Sequence, residues 1–192
     1  TWAELVKEDL DGKIDVIIDG GQVGIGIEST IIDLTEDVPV ILRPGYITKA
    51  MAEQVVGDVR MDPGLSGKDP SKHPKAPGMK YRHYAPKASM VVYQGDREKV
   101  IKKICREAAG YPEDKVGILA TEETKDAYTY GQVVVAGSRK DGTIAHGLYG
   151  ALREFDRLGV EVILSESFAG EDKSEAVMNR LLKAAGQHIE YL

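Results

Sequence analysis

Four short stretches carry side chains whose types and spacing could do chemistry. Glu28-Ser29-Thr30 opens an apolar run and offers two neighbouring hydroxyls. Two readings fit them: polar contacts to a substrate at the end of a sheet, or ordinary strand residues. Arg43-Pro44-Gly45 closes a run of four apolar residues. Proline fixes the backbone and glycine permits a sharp turn, so the guanidinium is expected at the edge of a sheet. Its planar fork donates two parallel hydrogen bonds to phosphate or carboxylate, and a surface salt bridge is the rival reading. His83-Tyr84 lies within KAPGMKYRHYAP and could stack on a base or do acid/base work; in a bare linker the pair would be exposed and idle. The glycines of GGQVGIG invite a dinucleotide reading, but Ser29 stands where the third glycine belongs and the run leads into a strand. Flexible turn glycines fit better, and no P-loop is present.

Other residues are assigned no chemistry. Cys105 is the single cysteine, excluding an internal disulfide, and in the helical pattern EKVIKKICREA it reads as half-buried. No Cys/His set has zinc spacing, and no metal ligand or catalytic residue is assigned. His146 and Tyr149 read as surface or interdomain contacts.

The elements that must position these groups fall into three parts. Residues 1–60 read as the end of an α/β unit: a helix in AELVKEDL stopped by Asp11-Gly12, a strand in KIDVIIDGG, two β-rich runs IESTIIDL and VPVILRPG joined by a hairpin or a tight connection, then a helix KAMAEQVVG capped by Thr48 and ended by Gly57. This set is too small to bury a core alone, and the chain is expected to be part of a longer protein. Residues 61–87 hold five of the eight prolines and read as a long linker. From 88 to 192, ASMVVYQ, KVGILAT, QVVVAG and VEVILSES read as apolar strands, alternating with the helices REKVIKKICREAAG, TIAHGLYGALREFDRLG and SEAVMNRLLKAAGQHI. ETKDAYTYG is a short helical or irregular piece. Leu148, Leu152, Phe155 and Leu158 form one expected buried face, and Leu181, Leu182 and Ala185 another. Apolar strands joined by helices imply a mainly parallel, Rossmann-like sheet.

Charge bounds the partners. The chain of 192 residues carries −6 overall, with 42% hydrophobic and 29% charged residues. Residues 68–87 hold six cationic side chains against Asp69 alone, a local +5 that leaves −11 elsewhere. That disfavours stable nucleic-acid binding and suggests a small anionic ligand or a solvated linker. No apolar run approaches the roughly 20 residues of a membrane span, and TWAELVKEDLDGK has no signal pattern. No membrane association and a cytoplasmic location are expected.

DVIIDGGQVGIGIESTIIDL, ILRPGYIT, APGMKYRHYAPK and AVMNRLLKAA, in that order, resemble the long, two-domain threonylcarbamoyl-AMP synthases. These join a YrdC-type catalytic domain through a linker to a Rossmann-like C-terminal domain. The resemblance spans essentially the whole chain. It implies that L-threonine, bicarbonate and ATP, with Mg²⁺ expected, give L-threonylcarbamoyladenylate and pyrophosphate. Downstream threonylcarbamoyl transferase machinery would then modify the adenosine beside the anticodon in tRNAs reading codons that begin with adenine. Carried over by motif, Ser29 and, more weakly, Thr30 would contact threonine. Arg43 would bind ATP phosphate, and Tyr84, helped by His83, would contact the nucleotide as the linker folds over the site. The family's catalytic domain begins well upstream with a Lys/Arg-rich motif and a Ser-x-Asn motif, neither of which is present here. This chain is therefore expected to be a C-terminal part, inactive alone. The alternative is a non-catalytic Rossmann-like module that binds a ligand or partner and regulates a catalytic domain.

Overall fold

Apolar runs of four to six residues, bounded by glycine and proline and separated by helical patterns, bury both faces of a strand only in a sheet covered by helices on each side. The computed structural model describes residues 3–21, 23–27, 29–66, 85–170 and 174–192. Its larger sheet is formed by β4 (Ser89–Gln94), β5 (Val116–Ala120), β6 (Gln132–Val135), β7 (Val162–Glu166) and β8 (Ile189–Tyr191). All pairings are parallel, in the order β6-β5-β7-β4-β8. The Rossmann-like mainly parallel sheet is borne out.

Side chains alternate between the faces of this sheet. Val92, Leu119 and Ile163 pack with α4 (Ile144–Leu158) and α5 (Ser174–Ala184), while Tyr93, Ile118 and Leu164 pack with α3 (Arg97–Ala108). Asp96 caps α3, its carboxylate accepting from the Glu98 and Lys99 N–H groups. On α4 the buried stripe is Ile144, Ala145, Leu148, Ala151, Leu152 and Phe155. Leu158, expected on that face, is 39% exposed; it lies in the last turn, where Gly159 adopts the left-handed conformation and ends the helix. Leu181 and Ala185 are buried and Leu182 packs against the same core.

Two further sequence expectations fail in this half. The closing helix stops at Ala184, and Gly186 and Gln187, both at positive φ, turn the chain back into β8 beside β4. Cys105 is exposed rather than half-buried, its Sγ donating to the Ala127 carbonyl at 3.7 Å.

The N-terminal half builds a smaller sheet, β1-β2-β3. Here β1 (Ile31–Asp33) and β2 (Val40–Arg43) are antiparallel, as the hairpin reading requires. β2 continues through α2 (Lys49–Val56) to β3 (Arg60–Met61), parallel to it. Thr48 caps α2 by accepting from the Met51 N–H at 3.2 Å, and Gly57 follows its end. KIDVIIDGG forms no strand: residues 16–21 carry no sheet pairing, with Val16 and Ile18 75% and 91% exposed. A strand exists only by its ladder partner, and no described residue pairs with this run.

The two halves meet directly. The helix α1 (Ala3–Leu10) reaches α4 through Glu8 to Arg157 at 2.7 Å and Asp9 to Arg153. Ile27 is buried within the core of the larger sheet and its helices. Among the described residues no helix is long and apolar enough to cross a membrane. Most of the expected linker, residues 67–84, lies outside the described residues.

Candidate anion-binding site

The site begins where β2 ends. Arg43 pairs with Ile31, but Ile32 pairs with Ile41, leaving Leu42 as an extra residue in the ladder. A bulge of this kind bends the strand and re-aims the side chain beside it. β2 is the middle strand of its sheet, so Arg43 stands at a strand end and not, as expected, at a sheet edge. Its Nε donates to the Ser29 carbonyl at 3.0 Å and its Nη2 to Ser29 Oγ at 3.3 Å. The guanidinium is thereby fixed against the hydroxyl segment, and among the described residues no carboxylate forms a salt bridge with it.

The next turn locks the same segment. A side chain on Gly45 would place its Cβ 2.5 Å from the Thr30 nitrogen and 2.7 Å from the Ser29 carbonyl carbon. Only a bare backbone fits there. Thr30 Oγ1 donates to the Ile47 carbonyl at 2.8 Å, so Thr30 holds the turn while the Ser29 hydroxyl stays beside the cation. Sequence reading assigned Ser29 and Thr30 to threonine and Arg43 to ATP phosphate, and the structure brings the three together. His83 and Tyr84 lie outside the described residues.

The motif AVMNRLLKAA brings in two cations that sequence reading gave no role. Arg180 and Lys183, on α5, stand within electrostatic reach of one another, and Lys183 also feels Arg43. Burial first, then the Arg180 and Arg43 charges, lower the Lys183 ammonium to about 8. Arg180 also donates to Asn179 Oδ1 at 2.8 Å. Cations gather at such a cost where an anion is to be held. The only advance signal was the spacing of Arg180 and Lys183, three apart and so on one side of a helix.

Beside this pole lies a cleft of about 460 Å³ between the two halves. Gly24, Gly45 and Tyr46 line one side, and Asp141, Thr143 and His146 the other. Gly26, read as a flexible turn glycine, is a packing position at φ 82°, where a Cβ would lie 2.5 Å from the His146 Cα. His146, expected as a surface or interdomain contact, lies with its backbone against Gly26.

Among the described residues no three His, Cys, Asp or Glu side chains are placed to hold a metal. The described residues therefore offer no protein-held Mg²⁺ site, and no step is assigned to one.

A parallel Rossmann-like sheet, a small mixed sheet and a cationic group near the cleft between them define an α/β protein with a candidate site where its two halves meet. The family described as threonylcarbamoyl-AMP synthase, C-terminal domain, matches residues 47–186, and this chain belongs to it. A family described as telomere recombination matches residues 1–45. The threonylcarbamoyl-AMP synthase of Bacillus subtilis is 45% identical over 190 residues, covering 98% of this chain and 54% of the relative. That of Pyrococcus abyssi is 46% identical over 191 residues, with the same coverage. The crystal structure of P. abyssi Sua5 complexed with L-threonine matches with a TM-score of 0.88 at 45% identity, over 100% of this chain and 55% of that one. A variant of P. abyssi Sua5 with an adjacent histidine and tyrosine changed to alanine matches equally, at 44% identity, over 100% of this chain and 54% of that one. The chain spans about half the length of the curated relatives it matches.

Proposed function

We propose that the protein containing this chain makes L-threonylcarbamoyladenylate and pyrophosphate from L-threonine, bicarbonate and ATP, and that this chain supplies part of its anion-binding site. The observation that carries the reading is the Arg43 guanidinium held on the Ser29 hydroxyl, with Lys183 within electrostatic reach of both Arg43 and Arg180. It occurs in a chain 45% identical to a threonylcarbamoyl-AMP synthase.

The chemistry is nucleotidyl transfer without a covalent enzyme intermediate. The threonine amine takes up bicarbonate with loss of water, and an oxygen of the resulting carbamate attacks the α-phosphorus of ATP. The bond from that phosphorus to the bridging oxygen breaks, and pyrophosphate leaves with the electron pair. Arg43 and the α5 cations oppose the charge that develops on the phosphates, where fixed cations count most in a partly desolvated cleft. Ser29 Oγ accepts from Arg43 and keeps its own proton to donate to the threonine substrate; Thr30 supports it through the turn.

Tyr84, with His83, closes over the nucleotide as the 61–87 linker crosses the cleft. This role rests on the motif resemblance. The adjacent histidine and tyrosine replaced in the P. abyssi variant are residue types that this chain also carries side by side. The product passes to threonylcarbamoyl transferase machinery that modifies tRNA in the cytoplasm. The protein itself holds no tRNA stably, since the chain outside residues 68–87 carries −11.

Mass spectrometry of the reaction products tests the proposal. The full-length protein should form L-threonylcarbamoyladenylate only when threonine, bicarbonate and ATP are all present, and this chain alone should form none. Absence of the adenylate from the full-length reaction refutes it.

A further inference from the structure

A second cavity, on the larger sheet, is separate from the Arg43 site. It encloses about 440 Å³ at the carboxyl ends of β4 and β7 and is lined by Gly95, Arg97, Arg139, Glu166, Ser167 and Gly170, among others. The size falls within the roughly 300–1,000 Å³ of small-molecule sites. Its position follows from the topology. β4 and β7 are neighbours, yet β4 leads through α3 to β5 on one side, and β7 leads through α5 to β8 on the other. The helices take opposite faces. Where adjacent parallel strands send their connections apart, the chain leaves a crevice at the carboxyl edge, the place where open α/β sheets bind ligands.

Among the described residues, the charges in this crevice are held in place and unequal in number. Glu166 is 4% exposed; Tyr128 donates to its Oε1 at 2.7 Å, and Arg139 stands 3.6 Å from its Oε2. Arg139 also donates to the Ser167 carbonyl at 2.6 Å and lies over the Phe168 ring. The Glu166 charge is thus matched by Arg139. Arg97 donates to the Glu123 backbone carbonyl, a neutral acceptor, and among the described residues no carboxylate pairs with it. Glu123 spends its own carboxylate on Ser138 Oγ at 2.7 Å and on the Arg139 and Lys140 N–H groups. One anchored guanidinium therefore lines the cavity with no carboxylate among the described residues matched to it. Buried ionic networks cost desolvation energy that an apolar packing would avoid, so this one is better explained by recognition than by stability.

We propose that this cavity is a second ligand site, for a small organic anion no larger than a mononucleotide, whose carboxylate or phosphate is taken by Arg97. The site is independent of the synthase reading and would let the C-terminal domain sense a metabolite.

Titration of the ¹⁵N-labelled chain with citrate and, separately, with AMP tests this in carboxylate and phosphate arms. At least one probe should shift the Gly95, Arg97, Ser167 and Gly170 amides saturably. Arg97→Gln, an exposed change that keeps the helix, should weaken that binding about tenfold, whereas Arg43→Ala should leave it unaltered. The responding arm identifies the anion class. Saturable shifts confined to the Arg43 cleft, shifts unaltered by Arg97→Gln, or no saturable shift at these amides with either probe would each overturn the proposal.

Discussion

Arg43 and Ser29, fourteen residues apart, are joined twice: Nε to the Ser29 carbonyl at 3.0 Å and Nη2 to its hydroxyl at 3.3 Å. The first bond fixes the guanidinium plane, and the second ties the cation to the group assigned to threonine. Ser29→Ala removes only the second. In the full-length enzyme it should raise the KM for threonine about tenfold, the value of one charged hydrogen bond, with a smaller effect on the KM for ATP. Steady-state pyrophosphate release checks this, and an unchanged threonine KM counts against the assignment.

Lys183 provides a pH readout of the cationic pole. Its folded pKa of about 8 lies below its ordinary 10.5, so between those values the unfolded chain binds more protons than the folded one. Stability should therefore rise with pH across that window, and Lys183→Met should abolish that share of the rise. NMR titration of the Lys183 side chain should find a midpoint near pH 8, moved upward by Arg43→Ala because one neighbouring cation is gone. Bound pyrophosphate should move it upward as well.

The junction between the halves turns on Gly26. Alanine there meets both a positive φ and a Cβ 2.5 Å from the His146 Cα. Gly26→Ala should cost about 1–3 kcal/mol by overpacking and loosen the 24–27 segment against α4. Urea denaturation measures the loss, and faster amide exchange at Ile27, buried in the larger core, should accompany it.

Acid should weaken the carboxyl edge of the large sheet. Burial pushes the Glu123 carboxyl up, but Ser138 and the Arg139 and Lys140 N–H groups outweigh it and hold it at about 2, below the ordinary 4.5. A depressed carboxyl stabilises the fold above the unfolded value and loses that contribution as pH falls through the folded one. Glu123→Gln should therefore be less stable than the parent at neutral pH, with the difference shrinking between pH 4.5 and 2 in thermal melts.

The larger sheet was legible because parallel strands buried on both faces must be short apolar runs, as MVVY and VGILA are. β8 was not: three residues at a sheet edge leave little pattern, and the stop before it lies in the backbone angles of Gly186 and Gln187. KIDVIIDGG has the composition of a strand but finds no ladder among the described residues. In the site, Ser29, Thr30 and Arg43 could be named because they sit in compact motifs. Arg180 and Lys183 could not, since the approach of Lys183 to Arg43 joins distant parts of the chain and is fixed by tertiary packing alone. Gly26 shows the same limit, since its constraint comes from His146.

The central claim is that Arg43 holds the phosphates of ATP in a threonylcarbamoyl-AMP synthase. Its most direct test is pyrophosphate release by the full-length enzyme with threonine and bicarbonate, wild type against Arg43→Ala. Loss of a fixed charge aimed at the transferring phosphates should lower kcat/KM for ATP by about a hundredfold or more, with the fold unchanged by circular dichroism. An undiminished kcat/KM in a folded Arg43→Ala enzyme would contradict it.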